Sequence, residues 1–89
     1  MNISFDRSFY KRLVKIRDKT ILNKVKEIIE EVQSADRVGD ISNIKKMEGF
    51  KTFYRIRVGD YRIGLELQKD TLSFITIAHR KDIYKTFPK

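Results

Sequence analysis

The sequence predicts an α+β domain in which a helical hairpin packs on one side of an antiparallel sheet, in the order β-α-α-β-β-β. Three observations indicate this fold. Apolar residues recur at helical spacing through the first third of the chain. They alternate with polar residues through residues 53–67, and a β-branched and aromatic run follows at residues 71–78. No linker or repeat divides the chain, so residues 1–89 are expected to form one domain.

The N-terminal residues predict a short strand and a first helix. Asn2–Phe5 is β-compatible and is expected to be an edge strand. Asp6 is placed to cap a helix over Arg7–Arg17. Within that range Phe9, Leu13 and Ile16 recur at helical spacing.

A second helix follows a break in the pattern. Asp18 or Thr20 is available as its N-cap, and it is expected to end near Ser34. The two helices are expected to form an antiparallel hairpin. The apolar stripe of the second helix is expected to belong to the core and comprises Leu22, Val25, Ile28, Ile29 and Val32.

The remaining chain predicts the rest of the sheet. Residues 41–51 contain a short strand or a turn, with Ile44 and Met47 pointing inward. Lys69-Asp70 is expected to be a turn, and Thr71–Ala78 a strand that completes a meander with the alternating segment before it.

The alternating segment is expected to fold as a β-hairpin around Gly59-Asp60. Glycine in the first central position suits a two-residue type II′ turn. This register places Arg57 directly opposite Arg62, and Arg55 opposite Gly64, which has no side chain to fill the space.

Three arginines therefore crowd one exposed surface of the hairpin, here called the arginine patch (Arg55, Arg57 and Arg62). Like charges that face each other across strands destabilise a sheet by a few tenths to about 1 kcal/mol. Only Glu66, at the far end of this face, carries the opposite charge. The patch therefore predicts an anionic ligand.

The charge of the whole chain favours a nucleic acid as that ligand. The formal net charge is +8. Residues 1–42 contain nine Lys/Arg against seven Asp/Glu, whereas residues 43–89 contain eleven against five, so the positive field is concentrated around the patch. Further candidate RNA-binding residues are Lys45, Lys46, Lys51, Phe53, Lys81 and Lys85. For Phe53, ordinary packing is the favoured alternative.

Other classes of site find little support. The chain has no cysteine, one histidine and no glycine-rich phosphate loop, so we expect neither a metal ion nor a cofactor. No apolar run is long enough to span a bilayer, and there is no signal-peptide core. A soluble, cytoplasmic protein without membrane contact is expected.

The residues that remain suit metal-free cleavage of RNA, in which the substrate's own 2′-hydroxyl is the nucleophile. Guanidinium groups bind phosphate bidentately and stay charged, so arginine is a poor general base. His79 is the obvious group for proton transfer, although a lone histidine is as often structural.

Two motifs, Y-R-I-R-V-G-D-Y-R at residues 54–62 and H-R-K-D-I-Y at residues 79–84, resemble the RelE/ParE superfamily of toxin–antitoxin systems. The likeness covers nearly the whole chain and implies a RelE-like fold. For the RelE branch it implies a toxin that cleaves mRNA in the ribosomal A site through 2′-hydroxyl attack. The implied partners are a cognate antitoxin, mRNA and rRNA, and operator DNA only through the antitoxin.

The resemblance also implies site residues. The catalytic set would comprise Arg55, Arg57, Arg62, His79, Arg80 and Tyr84. Some RelE members have lysine where Arg55 and Arg57 stand, and one such lysine has been considered as the general base. Because arginine does not suit that task, His79 or Glu48 would replace it, while Tyr84 would stack on a base or assist proton transfer.

Two other functions remain open at this point. One is a ParE-like toxin that inhibits DNA gyrase without enzymatic activity. The other is a catalytically silent module that binds RNA or an antitoxin, with the arginines serving only to anchor phosphates.

Overall fold

The computed structural model describes residues 1–88 and confirms the α+β prediction. The strands are β1 (Asn2–Phe5), β2 (Ile44–Lys46), β3 (Phe53–Val58), β4 (Tyr61–Gln68) and β5 (Thr71–His79). The helices are α1 (Arg7–Leu13), α2 (Lys19–Ser34) and α3 (Ile83–Thr86), and a 3-10 turn spans Val38–Asp40. The five strands form one sheet in the order β1-β5-β4-β3-β2. Among residues 1–88, none of the helices combines the length and the hydrophobicity of a membrane-spanning segment.

The sheet is mixed rather than wholly antiparallel. β1 is an edge strand, as predicted, but it pairs in parallel with β5, with Asn2 opposite Thr71 and Phe5 opposite Phe74. The chain between these strands crosses the sheet through both helices and returns through β2, β3 and β4. No local turn sets the direction of such a distant pairing, so the sequence pattern does not reveal it.

Both predicted helices form, and aspartate caps each of them. The side chains of Asp6 and Asp18 accept the backbone N–H two residues further on, at 3.1 and 2.9 Å. α1 ends at Leu13 instead of extending to Arg17, because the next backbone hydrogen bonds span three residues rather than four, and the chain leaves the helix as a turn.

The main core lies between the helices and one face of the sheet, here called the helix face. α2 contributes Ile21, Val25 and Val32, all buried, whereas Leu22 from the predicted stripe is only half-buried. Val25 and Val32 are buried and Ile28 and Ile29 pack against the same core, so the predicted stripe is confirmed except that Ile21 takes the place expected for Leu22. The sheet contributes the fully buried residues Ile56, Ile63, Leu65, Leu72 and Phe74.

A second, smaller core lies on the opposite face, here called the arginine face. It contains Met47, Ala78, Ile83 and Phe87, with Phe53 and Ile75 packed against it. The rings of Phe50 and Phe87 meet Phe53 edge-on at centroid distances of 5.5 and 5.2 Å. The packing role favoured for Phe53 is therefore confirmed.

Thr76 offers a test of the packing on this face. Its side chain is buried, and its hydroxyl has no hydrogen-bond partner within residues 1–88. Because an unsatisfied buried hydroxyl costs roughly 1–3 kcal/mol, Thr76→Val is expected to raise the free energy of unfolding by about 1 kcal/mol in urea denaturation. A decrease would contradict the absence of a hydrogen-bond partner for this hydroxyl.

Candidate functional site

The turn between β3 and β4 fixes where the arginines lie. A type II′ turn requires a positive φ at its first central residue and a negative φ at its second. Gly59 has a φ of 58° and Asp60 does not have a positive φ, so the turn meets this requirement. The strands pair in the predicted register, with Arg57 directly opposite Arg62. Both side chains therefore stand on the arginine face, next to the turn.

Arg62 is held in place by the backbone of the turn. Its Nη1 donates to the carbonyl oxygens of Gly59 and Tyr61, both at 2.9 Å. These bonds use one nitrogen of the guanidinium, which has five N–H donors in all. The remaining donors are free to bind a ligand on the arginine face.

Three other arginines lie close enough to Arg62 to affect its charge. The pKa of Arg62 is lowered from its ordinary value, first by burial and then by repulsion from Arg55, Arg57 and Arg80. A guanidinium nevertheless remains charged at any working pH, so the strain is not relieved by deprotonation. The structure thus brings these four predicted site residues together.

Tyr84 also belongs to this group. Its hydroxyl accepts a hydrogen bond from Nη1 of Arg55, and the guanidinium carbon lies 5.5 Å from the centre of the tyrosine ring. Tyr84 as a whole is 62% exposed, so its side chain is open to solvent. The aromatic residue predicted to contact a nucleotide base therefore stands directly beside the cations.

Arg80 joins the site from the end of β5. Its backbone N–H donates to the carbonyl of Asp60 at 2.7 Å, which places it beside the turn. Its Nε lies 3.9 Å from Oδ1 of Asp60, an exposed and weak ion pair. In the described chain, this is the only carboxylate within 4.0 Å of the four arginines, so most of their charge is not neutralised internally.

Two open grooves expose these cations. A groove of about 310 Å³ is lined by the arginine patch together with Asn43, Ile44 and Lys45. A second, of about 680 Å³, extends from Arg57, Arg62 and Arg80 towards α2. Asn43 lines both and was not predicted. The structure gives it a φ of 60°, in the left-handed region where asparagine is enriched, so the residue type was the only signal in the sequence.

The predicted lysines are dispersed. Lys45 lies opposite Arg55 and extends the arginine face, whereas Lys46 lies opposite Tyr54 and therefore on the helix face. Lys51 and Lys81 are exposed in loops, and Lys85 pairs with Asp82 at 3.8 Å. Only Lys45 is placed in a groove with the arginine patch.

His79 is not brought to the arginines. A bulge between β4 and β5 makes Leu65 face Phe74 while Gly64 faces Thr76, which shifts the alternation of β5 by one residue. His79 consequently faces Tyr61 on the helix face, with ring centroids 5.8 Å apart. There it lines a groove with Lys11 and Arg12 of α1 and with Lys15, which follows that helix.

The electrostatic strain within the arginine patch can be measured. Arg57→Gln is expected to raise the free energy of unfolding by a few tenths to about 1 kcal/mol, because it removes the repulsion of Arg62 across the strands. The gain should shrink at high salt, where exposed charges are screened. Thermal unfolding at 20 mM and 500 mM NaCl measures both effects; a lower melting temperature at low salt would contradict them.

Within residues 1–88, no three histidine, cysteine, aspartate or glutamate side chains are grouped so that they could hold a metal ion.

Comparison with known proteins adds independent information. The sequence model of the family described as the ParE toxin of the type II toxin–antitoxin system, parDE, matches residues 3–84. A toxin of Methanocaldococcus jannaschii named RelE3 is 43% identical over 99% of this chain and 100% of its own length.

Solved structures show the same fold. The toxin in a RelB–RelE antitoxin–toxin complex from Methanococcus jannaschii superposes with a TM-score of 0.81 at 41% identity, covering 96% of this chain and 99% of that one. The RelBE2 complex of Mycobacterium tuberculosis gives a TM-score of 0.68 at 20% identity, covering 89% and 96%. The latter likeness concerns the fold alone. On the family match and the full-length relative, the chain belongs to the RelE/ParE superfamily of type II toxin–antitoxin toxins and is a RelE-type toxin.

Proposed function

We propose that this toxin is a metal-independent endoribonuclease that cleaves mRNA in the ribosomal A site and thereby inhibits translation. The observation that carries the proposal is the convergence of Arg55, Arg57 and Arg80 on Arg62 beside open grooves. Such a cluster is costly in the free protein and is neutralised when a phosphodiester enters it.

The arginines would bind the scissile phosphate and stabilise the charge that develops on it. Arg62, anchored by the turn carbonyls, has a fixed orientation and needs little reorganisation when the substrate arrives. Arg55, Arg57 and Arg80 surround it and would contact the other phosphate oxygens. The attacking group is the 2′-hydroxyl of the RNA, which gives its proton to solvent, bonds to the phosphorus and displaces the 5′-oxygen. That oxygen takes up a proton, and a 2′,3′-cyclic phosphate remains.

Tyr84 would complete the site. Its hydroxyl accepts from Arg55 and retains its own proton for donation to the substrate. Its exposed ring also offers a surface on which a base can stack. We therefore assign Tyr84 to stacking and proton transfer.

A substitution of His79 tests whether proton transfer depends on Tyr84 and not on the histidine. A general base that contacts the reacting oxygen contributes about 10²–10⁴ in rate. Because the imidazole lies on the helix face and its Nδ1 accepts from the backbone N–H of Lys81 at 3.2 Å, His79→Gln is expected to retain cleavage within about tenfold. A loss of 10²-fold or more, in a folded protein, would restore His79 as the base.

The activity itself is tested by primer extension on a translated message after induction of the toxin. We expect cuts within codons, and in purified ribosome complexes we expect cleavage that persists in EDTA. The products should end in 2′,3′-cyclic phosphate, and a 2′-deoxy nucleotide at the cleavage position should abolish the reaction. Persistent cleavage of that deoxy substrate would contradict the mechanism.

A second candidate is a ParE-like inhibitor of DNA gyrase, which the name of the matching family favours. Induction would then cause DNA damage while messages remain intact. If neither messages nor DNA are affected and RNA still binds in a salt-sensitive manner, the protein is a silent binding module.

We further propose that a cognate antitoxin neutralises the toxin in the cytoplasm. The similar RelE structure from Methanococcus jannaschii is an antitoxin–toxin complex. The net charge of +8 suits an acidic antitoxin segment that wraps the toxin. Operator DNA would be contacted only through that antitoxin. Co-expression with the neighbouring open reading frame should yield a stable complex and restore growth.

A further inference from the structure

The arginine face carries a steric feature around a glycine. Gly64 lies opposite Arg55 in the sheet and is buried beneath the ring of Phe87. A Cβ built on Gly64 would lie 2.6 Å from the nearest ring carbon, 2.7 Å from the next and 2.9 Å from a third. Real Cβ contacts are not this short, so any side chain at this position must displace the ring. The space beside Arg55 is thus filled from another part of the chain.

Phe87 belongs to the segment that carries Tyr84. α3 has only four residues, which is too short to be stable alone, so its position depends on what it packs against. Ile83 and Phe87 are both buried in the second core, while Tyr84, between them in sequence, is exposed. Phe87 over Gly64 and Ile83 beside Ala78 therefore hold α3 on the sheet.

We propose that Gly64 and Phe87 are positioning residues that hold Tyr84 against Arg55. The inference rests on the proposed function, because Tyr84 is assigned there to the reaction. Glycine is required at position 64 since the ring of Phe87 takes the volume of a side chain. Displacing that ring moves α3 outward, and the hydroxyl of Tyr84 loses its contact with Arg55.

Gly64→Ala is the first test. A displacement of about 1 Å at a reacting group costs about 10²-fold in rate, and we expect a loss of that size in ribosome-dependent cleavage. The matched control is Gly39→Ala, because a Cβ on Gly39 meets nothing within 4 Å. The control should cleave as the parent protein does.

Nuclear magnetic resonance (NMR) separates positioning from activity. The α-protons of Gly64 lie under the Phe87 ring and should show a ring-current shift that disappears in Phe87→Leu. Nuclear Overhauser effects between the Tyr84 ring and the Arg55 side chain should weaken in Gly64→Ala and in Phe87→Leu. Unchanged contacts in both variants would overturn the inference, whatever their activity.

Double mutants show whether the effect passes through Tyr84. Added to Tyr84→Ala, Gly64→Ala should cause no further loss of cleavage, since the group that it displaces is already absent. Added to Phe87→Leu, which frees space, Gly64→Ala should cost less than it does alone. Equal losses in every background would mean a general destabilisation and would overturn the inference.

A failure of the proposed function can be told apart from a failure of the positioning role by comparing cleavage with the NMR contacts. Full cleavage by Tyr84→Ala would remove Tyr84 from the reaction, while the NMR contacts would still decide whether Gly64 and Phe87 position it. If Gly64→Ala does not fold, Phe87→Leu alone supplies both the cleavage and the NMR measurements.

Discussion

Replacing Arg62 by alanine is expected to lower ribosome-dependent RNA cleavage by at least 10²–10³-fold and to abolish toxicity, with the protein still folded. Arg62 is the anchored centre of the four arginines, and each preorganised electrostatic donor of this kind contributes about 10²–10³ in rate. Folding should change little. The lost bonds to Gly59 and Tyr61 destabilise the turn, whereas the lost repulsion of Arg57 stabilises it, so the two effects offset to within about 1 kcal/mol.

Two further variants sharpen this test. Arg62→Lys keeps the charge but lacks the planar fork, so its cleavage should fall between that of the parent and of the alanine variant. Arg37→Ala is the matched control, because Arg37 is an exposed arginine in an ion pair with Asp40 away from the site. Cleavage by Arg62→Ala at parental rates would refute the phosphate-binding role of this residue.

Binding of single-stranded RNA should depend steeply on salt. If all four arginines contact phosphates, the logarithm of the affinity falls with the logarithm of the salt concentration with a slope of about −2.8, and the affinity drops about fifty-fold between 50 and 200 mM salt. Filter binding measures this slope directly. The ligand is a short RNA with a 2′-deoxy nucleotide at the cleavage position, which the toxin binds without cleaving it.

Single-residue variants show which arginines contribute to the salt dependence of RNA binding. Arg55→Gln, Arg57→Gln and Arg80→Gln should each make the slope shallower by about 0.7, because each removes one phosphate contact. Lys26→Gln on the exposed surface of α2 removes the same charge elsewhere and should leave the slope unchanged. If Lys26→Gln makes the slope shallower by as much as Arg57→Gln does, RNA binding depends on the net charge of the protein and not on a site at the arginines.

The local features of the fold could be predicted from the sequence. The cap at Asp6, a second cap at Asp18 or Thr20, the turn at Gly59 and the register that sets Arg57 against Arg62 all depend on residues a few positions apart, and the structure selects Asp18. Their geometry is determined by the backbone preferences of those residues and by the period of the apolar pattern. The arginine patch followed from this register alone.

The site beyond the hairpin could not be predicted in the same way. A strict period of two counted from Leu72 places His79 on the arginine face, but the bulge near Ile75 inserts one residue and turns it to the helix face. Similarly, the sequence predicts open space beside Gly64, and Phe87 fills it. Both outcomes depend on how distant segments pack.

The β-hairpin with its turn, the helix caps and the crowding of three arginines on one exposed surface follow from the order of residues along the chain, because contacts between near neighbours have few alternatives. Long-range packing determines that β1 joins β5 in parallel, that Arg80 and Tyr84 complete the cluster, and that His79 lies on the other face. These arrangements depend on shape complementarity between segments far apart in the chain, which close packing selects and no local pattern records.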